Sequence, residues 1–210
     1  MSVAPDIQVP KAPPGFLWQL VRSPSGAIGL VIVLLLIFCA IFADVLAPYD
    51  PNKMGSGGRF LPPSGDFPLG TDEFGRDMLS RILFGSRITL LVGAVAVGIS
   101  LTIGMAVGMI AAFRRGWVEA ILMRSTDVLF SFTETLIALS FVAVLGPSLQ
   151  NAIIAVGVAG IPFYARTCYS AALVETSKPY FEASIAAGAR PTRLVLVHLL
   201  PNVMPTMIVV

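Results

Sequence analysis

Charge is what this sequence has least of. Of 210 residues only 12% are Asp, Glu, Lys or Arg, against 56% hydrophobic and a mean hydropathy of +0.84. A soluble domain carries roughly 25% charge, so this chain cannot cover a water-facing surface, and it is too apolar to remain disordered. Cysteine is scarce too: Cys39 and Cys168 lie in separate apolar stretches without ligand spacing, read as small packing residues, and imply neither a disulfide nor a metal site. One histidine, His198, excludes a His-rich metal centre, and a net charge of +2 is too small to imply nucleic acid. No Gly-x-x-x-x-Gly-Lys-Ser/Thr phosphate loop is present. Residues 1–25 are Pro-rich and polar, and no Ala-x-Ala pattern follows the first apolar run, so no cleaved leader is expected. What is plentiful is 19 glycines and 16 prolines, too many for a simple coiled coil or up-down bundle. The composition places the chain in a bilayer.

Apolar runs divide the sequence. Residues 1–25 form an N-terminal arm and 26–210 a transmembrane domain, with spans over about 26–46, 88–112, 128–145 and 149–165 and a fifth starting at 203. Gly104 and Gly108 make a small-xxx-small step suited to close helix contact. Val203–Val210 is too short to cross hydrocarbon, so the expectation is an incomplete chain, truncated within its fifth span. The basic residues orient these spans. Lys11 and Arg22, then Arg114, Arg115 and Arg124, then Arg166, Lys178, Arg190 and Arg193 make three net-positive segments on one side, whereas loop 44–87 is net negative. A cytoplasmic N-terminus follows. Trp18 and Tyr164 read as membrane-interface aromatics, and Arg166 as an interfacial anchor or a partner for a nearby acid.

Loop 47–87 is extracytoplasmic on this orientation. Its Pro/Gly/Ser-rich part gives way to a dense cluster containing Gly70, Thr71, Asp72, Gly75, Arg76, Asp77, Ser80 and Arg81. Thr71 or Asp72 would cap a short helix, on which Asp77 and Arg81 stand four apart and suited to pairing. A structural brace, contact with a substrate or receptor, and chemistry are the three readings of the cluster. Chemistry lacks a His or Lys base to accompany the carboxylates. Glu134 is the acid placed well inside a proposed span, where such a group usually faces a pore or subunit interface. Its distance from Asp127 also suits the cytoplasmic interface or a packed hydrogen bond.

The cytoplasmic loop 166–202 is the most informative stretch. Ser177 is a possible cap, Pro179 suits a first helical turn, and Gly188 suits a stop. The intervening helix places Phe181, Ile185 and Ala189 on one face and carries a small-residue surface of Ala183, Ser184, Ala186 and Ala187. Small side chains let another protein approach the backbone, where a solvated helix would carry Lys, Glu and Gln. Pro201 and Pro205 would interrupt or kink the following run. Two readings remain from the residues alone: an interfacial connector and a partner-docking platform.

Glu182-Ala183-Ser184, Gly188 and His198-Leu199-Leu200-Pro201 resemble the EAA loop of binding-protein-dependent ABC importer permeases. Ser184 stands where that motif has its second Ala, and His198 where it has Ile. The ending His198-Leu199-Leu200-Pro201-Asn202 is similar to the peptide/nickel branch. So are the outer-loop pattern Gly70-Thr71-Asp72, Gly75-Arg76-Asp77, the stretch Ala47-Pro48-Tyr49-Asp50-Pro51, and Pro162 with Ala165-Arg166. Trp18, Arg22, Pro24 and Gly29 resemble its C-type permease.

The resemblance implies an all-α polytopic membrane protein, an ABC importer permease-type helix bundle, in a bacterial inner membrane. It also implies a second homologous permease, two ATP-binding subunits and an extracytoplasmic solute-binding protein as partners. Hydrolysis would occur in the ATP-binding subunits, so this chain would be no enzyme and need no cofactor or metal. Glu182, Ala183, Ala187 and Gly188 would form the coupling contact, with His198 and Pro201 closing the loop. Peptides or related small solutes such as nickel complexes would be the cargo. A secondary transporter and a structural membrane subunit without an ATPase partner are the alternatives.

Overall fold

The structure is a computed structural model that describes residues 23–210; the readings on Trp18 and Arg22 lie outside the described residues. Helices dominate: α1 (Pro24–Ile41), α2 (Ala43–Leu46), α3 (Met78–Phe113), α4 (Trp117–Phe130), α5 (Glu134–Leu145), α6 (Leu149–Thr176), α7 (Pro179–Ala186), α8 (Pro191–Arg193) and α9 (Leu200–Val209). Among the described residues, four helical stretches are long and apolar enough to cross a membrane: α1, α3, α6 and the run Pro191–Val209. The bent pair α4–α5 makes a possible fifth. The protein is an all-α polytopic membrane protein. It divides into two compact units, one ending at Leu90 and one running from Leu91 to Val210, with α3 contributing to both.

In the first unit α1 starts on Pro24, whose missing N–H costs nothing in a first turn. Ala40 is its one buried residue; Val31, Leu35 and Ile41 are about 60% exposed. Such an all-round apolar helix has no water-facing side. Phe42 interrupts the helical course before α2, and Arg87 serves the carbonyls left free there. Its Nε donates to Ala40 O at 3.0 Å, and its Nη2 to Ile41 O at 3.3 Å and Asp44 Oδ2 at 3.0 Å. A cation at a helix C-terminus also meets the negative end of the helix dipole.

The second unit is built on the contact of α3 with α6. A Cβ added at Gly104 would lie 2.7 Å from Tyr164 Cβ and 2.9 Å from Ile161 O; at Gly108 it would lie 2.5 Å from Ala165 O. The reciprocal residues on α6 are Gly157, against Ile99 and Ala96 O, and Gly160, against Ser100 Oγ. Ser100 Oγ donates across the interface to Gly157 O at 2.6 Å. Tyr164, read from sequence as an interfacial aromatic, is partly buried and packs in this seam. Continuous with the seam, Met105, Ala112, Cys168, Ala172, Phe181, Leu194, Leu199, Val203 and Met207 form one buried cluster.

Two apolar runs differ from straight helices. The run 128–145 is divided at Ser131–Thr133, where α4 and α5 meet at 89°. Ser131 Oγ donates to Val128 O at 2.6 Å, and the extended backbone of Thr133 opens α5. Pro201 and Pro205, expected to interrupt the last run, do not break it. Instead Leu194–Leu199 widens into a π-helical turn in which Leu200 N–H reaches back to Val195 O. Pro201 has no N–H for Val197 O, and the wider turn accommodates its ring.

Gly108→Ala forces a methyl against the Ala165 carbonyl and should destabilise by about 1–3 kcal/mol, the usual cost of overpacking. Gly98→Ala, with nothing within 4 Å of its added Cβ, should be neutral or gain about 0.5–1 kcal/mol from helix propensity. Thermal unfolding of the full-length chain in detergent checks both, and equal effects would contradict the seam.

Candidate functional site

The outer cluster builds its scaffold from backbone turns rather than a helix. Gly70 (φ 74°) and Gly75 (φ 69°) occupy the left-handed region, and a Cβ at either would lie 2.3 Å from Leu61 O or 2.5 Å from Gly57 O. Thr71 is buried: its Oγ1 donates to Gly58 O at 2.5 Å and accepts from Leu61 N at 2.9 Å. Asp72 gathers the cations. Its Oδ1 accepts from Phe74 N (2.8 Å) and Arg76 N (3.0 Å); its Oδ2 accepts from Arg76 Nε (2.8 Å) and Arg81 Nη1 (2.5 Å). Arg76 also lies 4.7 Å over the Phe74 ring.

Two sequence expectations change here. No helix is capped by Thr71 or Asp72, and Arg81 pairs with Asp72 rather than Asp77. Asp77 is fully buried just before α3, where its Oδ2 accepts from Ser80 N at 2.8 Å and Ser80 Oγ at 2.6 Å, capping the helix. The same Ser80 hydroxyl accepts from Tyr49 N at 3.2 Å, tying the end of the first apolar segment to the helix. The geometry is that of a brace.

Glu134 stands in the first turn of α5, exposed, at a cavity of about 170 Å³ that also contains Phe132, Pro162 and Phe163. A carboxylate is favoured at this end of the helix dipole. Arg166 on α6 reaches Asp127 on α4 at 3.4 Å and lies 5.6 Å from the Phe130 ring centre. It lines two open cavities of about 630 and 480 Å³.

Helix α7 is an exposed short helix held from beneath. Lys178, not Ser177, is its N-cap, with Pro179 at the first helical position; Ser177 closes α6 instead. Phe181 is 3% exposed within the apolar cluster, a burial that contributes about 2 kcal/mol. Ile185, expected beside it, is 53% exposed, because only one residue of the short helix faces the cluster. Glu182, Ala183, Ala186, Ala187 and Gly188 lie open on the other sides. Gly188 (φ 77°) ends the helix: its N–H donates to Ile185 O at 2.9 Å and Ala189 N–H to Ser184 O at 3.1 Å, the paired bonds of a Schellman stop. His198 and Pro201 lie in and just after the π turn, with His198 half-buried and Pro201 exposed. Glu182 and Ala183 therefore lie in α7 with Ala187 and Gly188 as its C-terminal stop, whereas His198 lies in the π turn and Pro201 in α9.

Three residues that sequence reading passed over support α7. Glu175, at the end of α6, accepts from Lys178 Nζ at 2.5 Å and Tyr180 Oη at 2.8 Å, and Asn202 Nδ2 donates to Tyr180 Oη at 3.2 Å. The Glu175–Lys178 spacing was a visible clue; the reach to Asn202 was not.

The family model for "Binding-protein-dependent transport system inner membrane component" matches residues 104–210, and that for the "N-terminal TM domain of oligopeptide transport permease C" matches residues 15–63. The chain is 40% identical over 199 residues to a di/tripeptide transport system permease protein DppC of Pseudomonas aeruginosa, with 91% of this chain and 66% of the relative covered. It is 38% identical over 192 residues to a probable D,D-dipeptide transport system permease protein DdpC of Escherichia coli, with 91% and 64% covered. It is 35% identical over 216 residues to a dipeptide transport system permease protein DppC of Haemophilus influenzae, with 100% and 73% covered. The chain thus spans about two thirds of the length of these relatives.

Asp72 generates a pH prediction. Partial desolvation opposes its ionisation, but hydrogen bonds from the Arg76 backbone and side chain and the Phe74 backbone outweigh this and hold the carboxyl at about 2, from an ordinary 3.8. A folded-state pKa below the unfolded one contributes stability that is present above pH 3.8 and lost as pH falls through about 2. Pepsin should therefore leave loop 55–77 intact near pH 4 and cut it as pH approaches 2. Asp72→Asn, with no charge to lose, should be cut across that range without a step.

Proposed function

Given that the chain belongs to the binding-protein-dependent transport system inner membrane components, we propose that it is the C-type permease subunit of an ATP-driven importer of short peptides. The observation that carries this is α7: a small-residue surface, open on the outside, locked by a Schellman stop and pegged by Phe181. A surface like that accepts a groove-shaped partner at close range, as an ordinary connector would not need to. The permease would assemble with a second homologous permease, two ATP-binding subunits and an extracytoplasmic solute-binding protein. ATP would be hydrolysed in the partner subunits. Their closure would press on Glu182, Ala183, Ala187 and Gly188 and shift the bundle between inward- and outward-open populations. The names of the relatives favour dipeptides and tripeptides over nickel complexes as cargo. The net-positive charge of the 166–202 segment bearing α7 supports a cytoplasmic position for this surface, where ATP is available.

Gly188→Asn separates docking from folding. Asparagine tolerates the left-handed backbone, and nothing lies within 4 Å of the added Cβ, so the turn should survive. In full-length complexes in proteoliposomes, dialanine uptake should fall about tenfold or more while the permease remains assembled in the membrane. Wild-type uptake by this variant would refute the docking assignment.

A further inference from the structure

Two kinds of contact hold α7, and they differ in direction. Phe181 buries an apolar ring, and apolar burial is non-directional; a ring in a socket allows the helix to rock. The backbone between α6 and α7 is equally permissive, a two-residue link in which Ser177 (φ −86°, ψ −3°) passes to Lys178 (φ −78°, ψ 143°). Directional restraint comes from the hydrogen-bond chain Glu175–Tyr180–Asn202, which joins the ends of three elements. Glu175 is 9% exposed at the end of α6, Tyr180 is in α7, and Asn202 is in α9.

Each group in the chain is used on both sides. The Tyr180 hydroxyl donates to Glu175 Oε2 at 2.8 Å and accepts from Asn202 Nδ2 at 3.2 Å. Asn202 Nδ2 also donates to His198 O at 2.6 Å, on the π turn that precedes α9. Lys178 Nζ, at 2.5 Å from Glu175 Oε1, balances the charge of the carboxylate. Desolvation, and then the bond to Glu175, raises the Tyr180 phenol above its ordinary value, so the hydroxyl keeps its proton at any physiological pH.

We propose that Tyr180, held between Glu175 and Asn202, is a positioning residue that transmits displacement of α7 to both α6 and α9. Without the chain, a push on α7 is absorbed at the Ser177–Lys178 link; with it, the ends of α6 and α9 move together. This rests on the reading of α7 as the surface that an ATP-binding subunit grips, and it adds where the force goes next.

The test uses the full-length permease with its partner subunits in proteoliposomes, measuring dialanine uptake and ATP hydrolysis together. Tyr180→Phe keeps the ring and removes both hydrogen bonds. Expected is near-normal assembly and ATP hydrolysis, with uptake per ATP lowered about tenfold, the scale of losing two such bonds. Asn202→Ala should lower the same ratio, and the double variant should be no worse than the poorer single one, since both cut one chain. A merely structural role would reduce assembled protein and lower uptake and hydrolysis together. Should Tyr180→Phe fail to assemble, Glu175→Gln, which keeps the shape and an acceptor oxygen, carries the same measurement with an expected loss of about threefold. If Gly188→Asn uncouples the complex while Tyr180→Phe keeps the wild-type ratio, the transmission proposal alone is overturned. If the wild-type complex shows no peptide-dependent ATP hydrolysis, the docking assignment falls and this proposal with it.

Discussion

The rest of the second unit depends on how closely the backbones of α3 and α6 approach. In lipid there is no hydrophobic force to press two apolar helices together, so association relies on dispersion contacts and interhelical hydrogen bonds. Both need short distances. Gly104, Gly108, Gly157 and Gly160 remove the side chains that would hold the helices apart, and Ser100 Oγ reaches Gly157 O at 2.6 Å through the gap. With α6 fixed in this way, its end presents Cys168 and Ala172 to the cluster that receives Phe181 and Val203. Arg166 and Glu175, on the same helix, acquire defined positions as well. A helix that rotated or drew back by one side chain would misplace all of them.

Rigidity in the seam and exposure at α7 are complementary. If α7 is the docking surface proposed above, it has to be accessible, and force applied to it would be wasted if its support yielded. Here accessibility comes from alanines, a glycine and Glu182, whereas support comes from one deeply buried ring and a short chain of oriented hydrogen bonds. The outer cluster solves a different problem by related means. A loop rich in glycine and proline gains order from Thr71 and Asp72, each satisfying several groups at once, and Asp77 ties it to the first turn of α3.

Much of this was readable where local chemistry dictates local structure. Gly188 was expected to stop a helix because it can adopt positive φ, and it does so at 77°. Gly104 and Gly108 were expected at a helix contact because their spacing brings them onto one face, and that face meets α6. Pro179 begins α7 for the same kind of reason. Reading failed where long side chains choose between partners. Arg81 is equally suited by sequence to Asp77 one turn away, but Asp77 is taken inward by the free N–H of Ser80, and the turns at Gly70 and Gly75 bring Asp72 within reach instead. The contact of Tyr164 Cβ with Gly104 was not legible either, because it depends on which helix packs there.

The sequence by itself determined that the protein lies in a membrane, that it is all-α, and where its small-residue contacts and helix stops fall. Those properties follow from composition and from backbone preferences that act over a few residues. Only the tertiary structure decided that the run 128–145 bends by 89°, that Pro201 follows a π turn and Pro205 sits within α9 without a break, and that Glu175, Tyr180 and Asn202 form one chain. These depend on distances between residues remote in sequence, or on which of several available hydrogen bonds packing permits. The scarcity of charge made that second step decisive: with so few polar side chains near the bundle, each one's partner has structural consequences, and folding selects the partner.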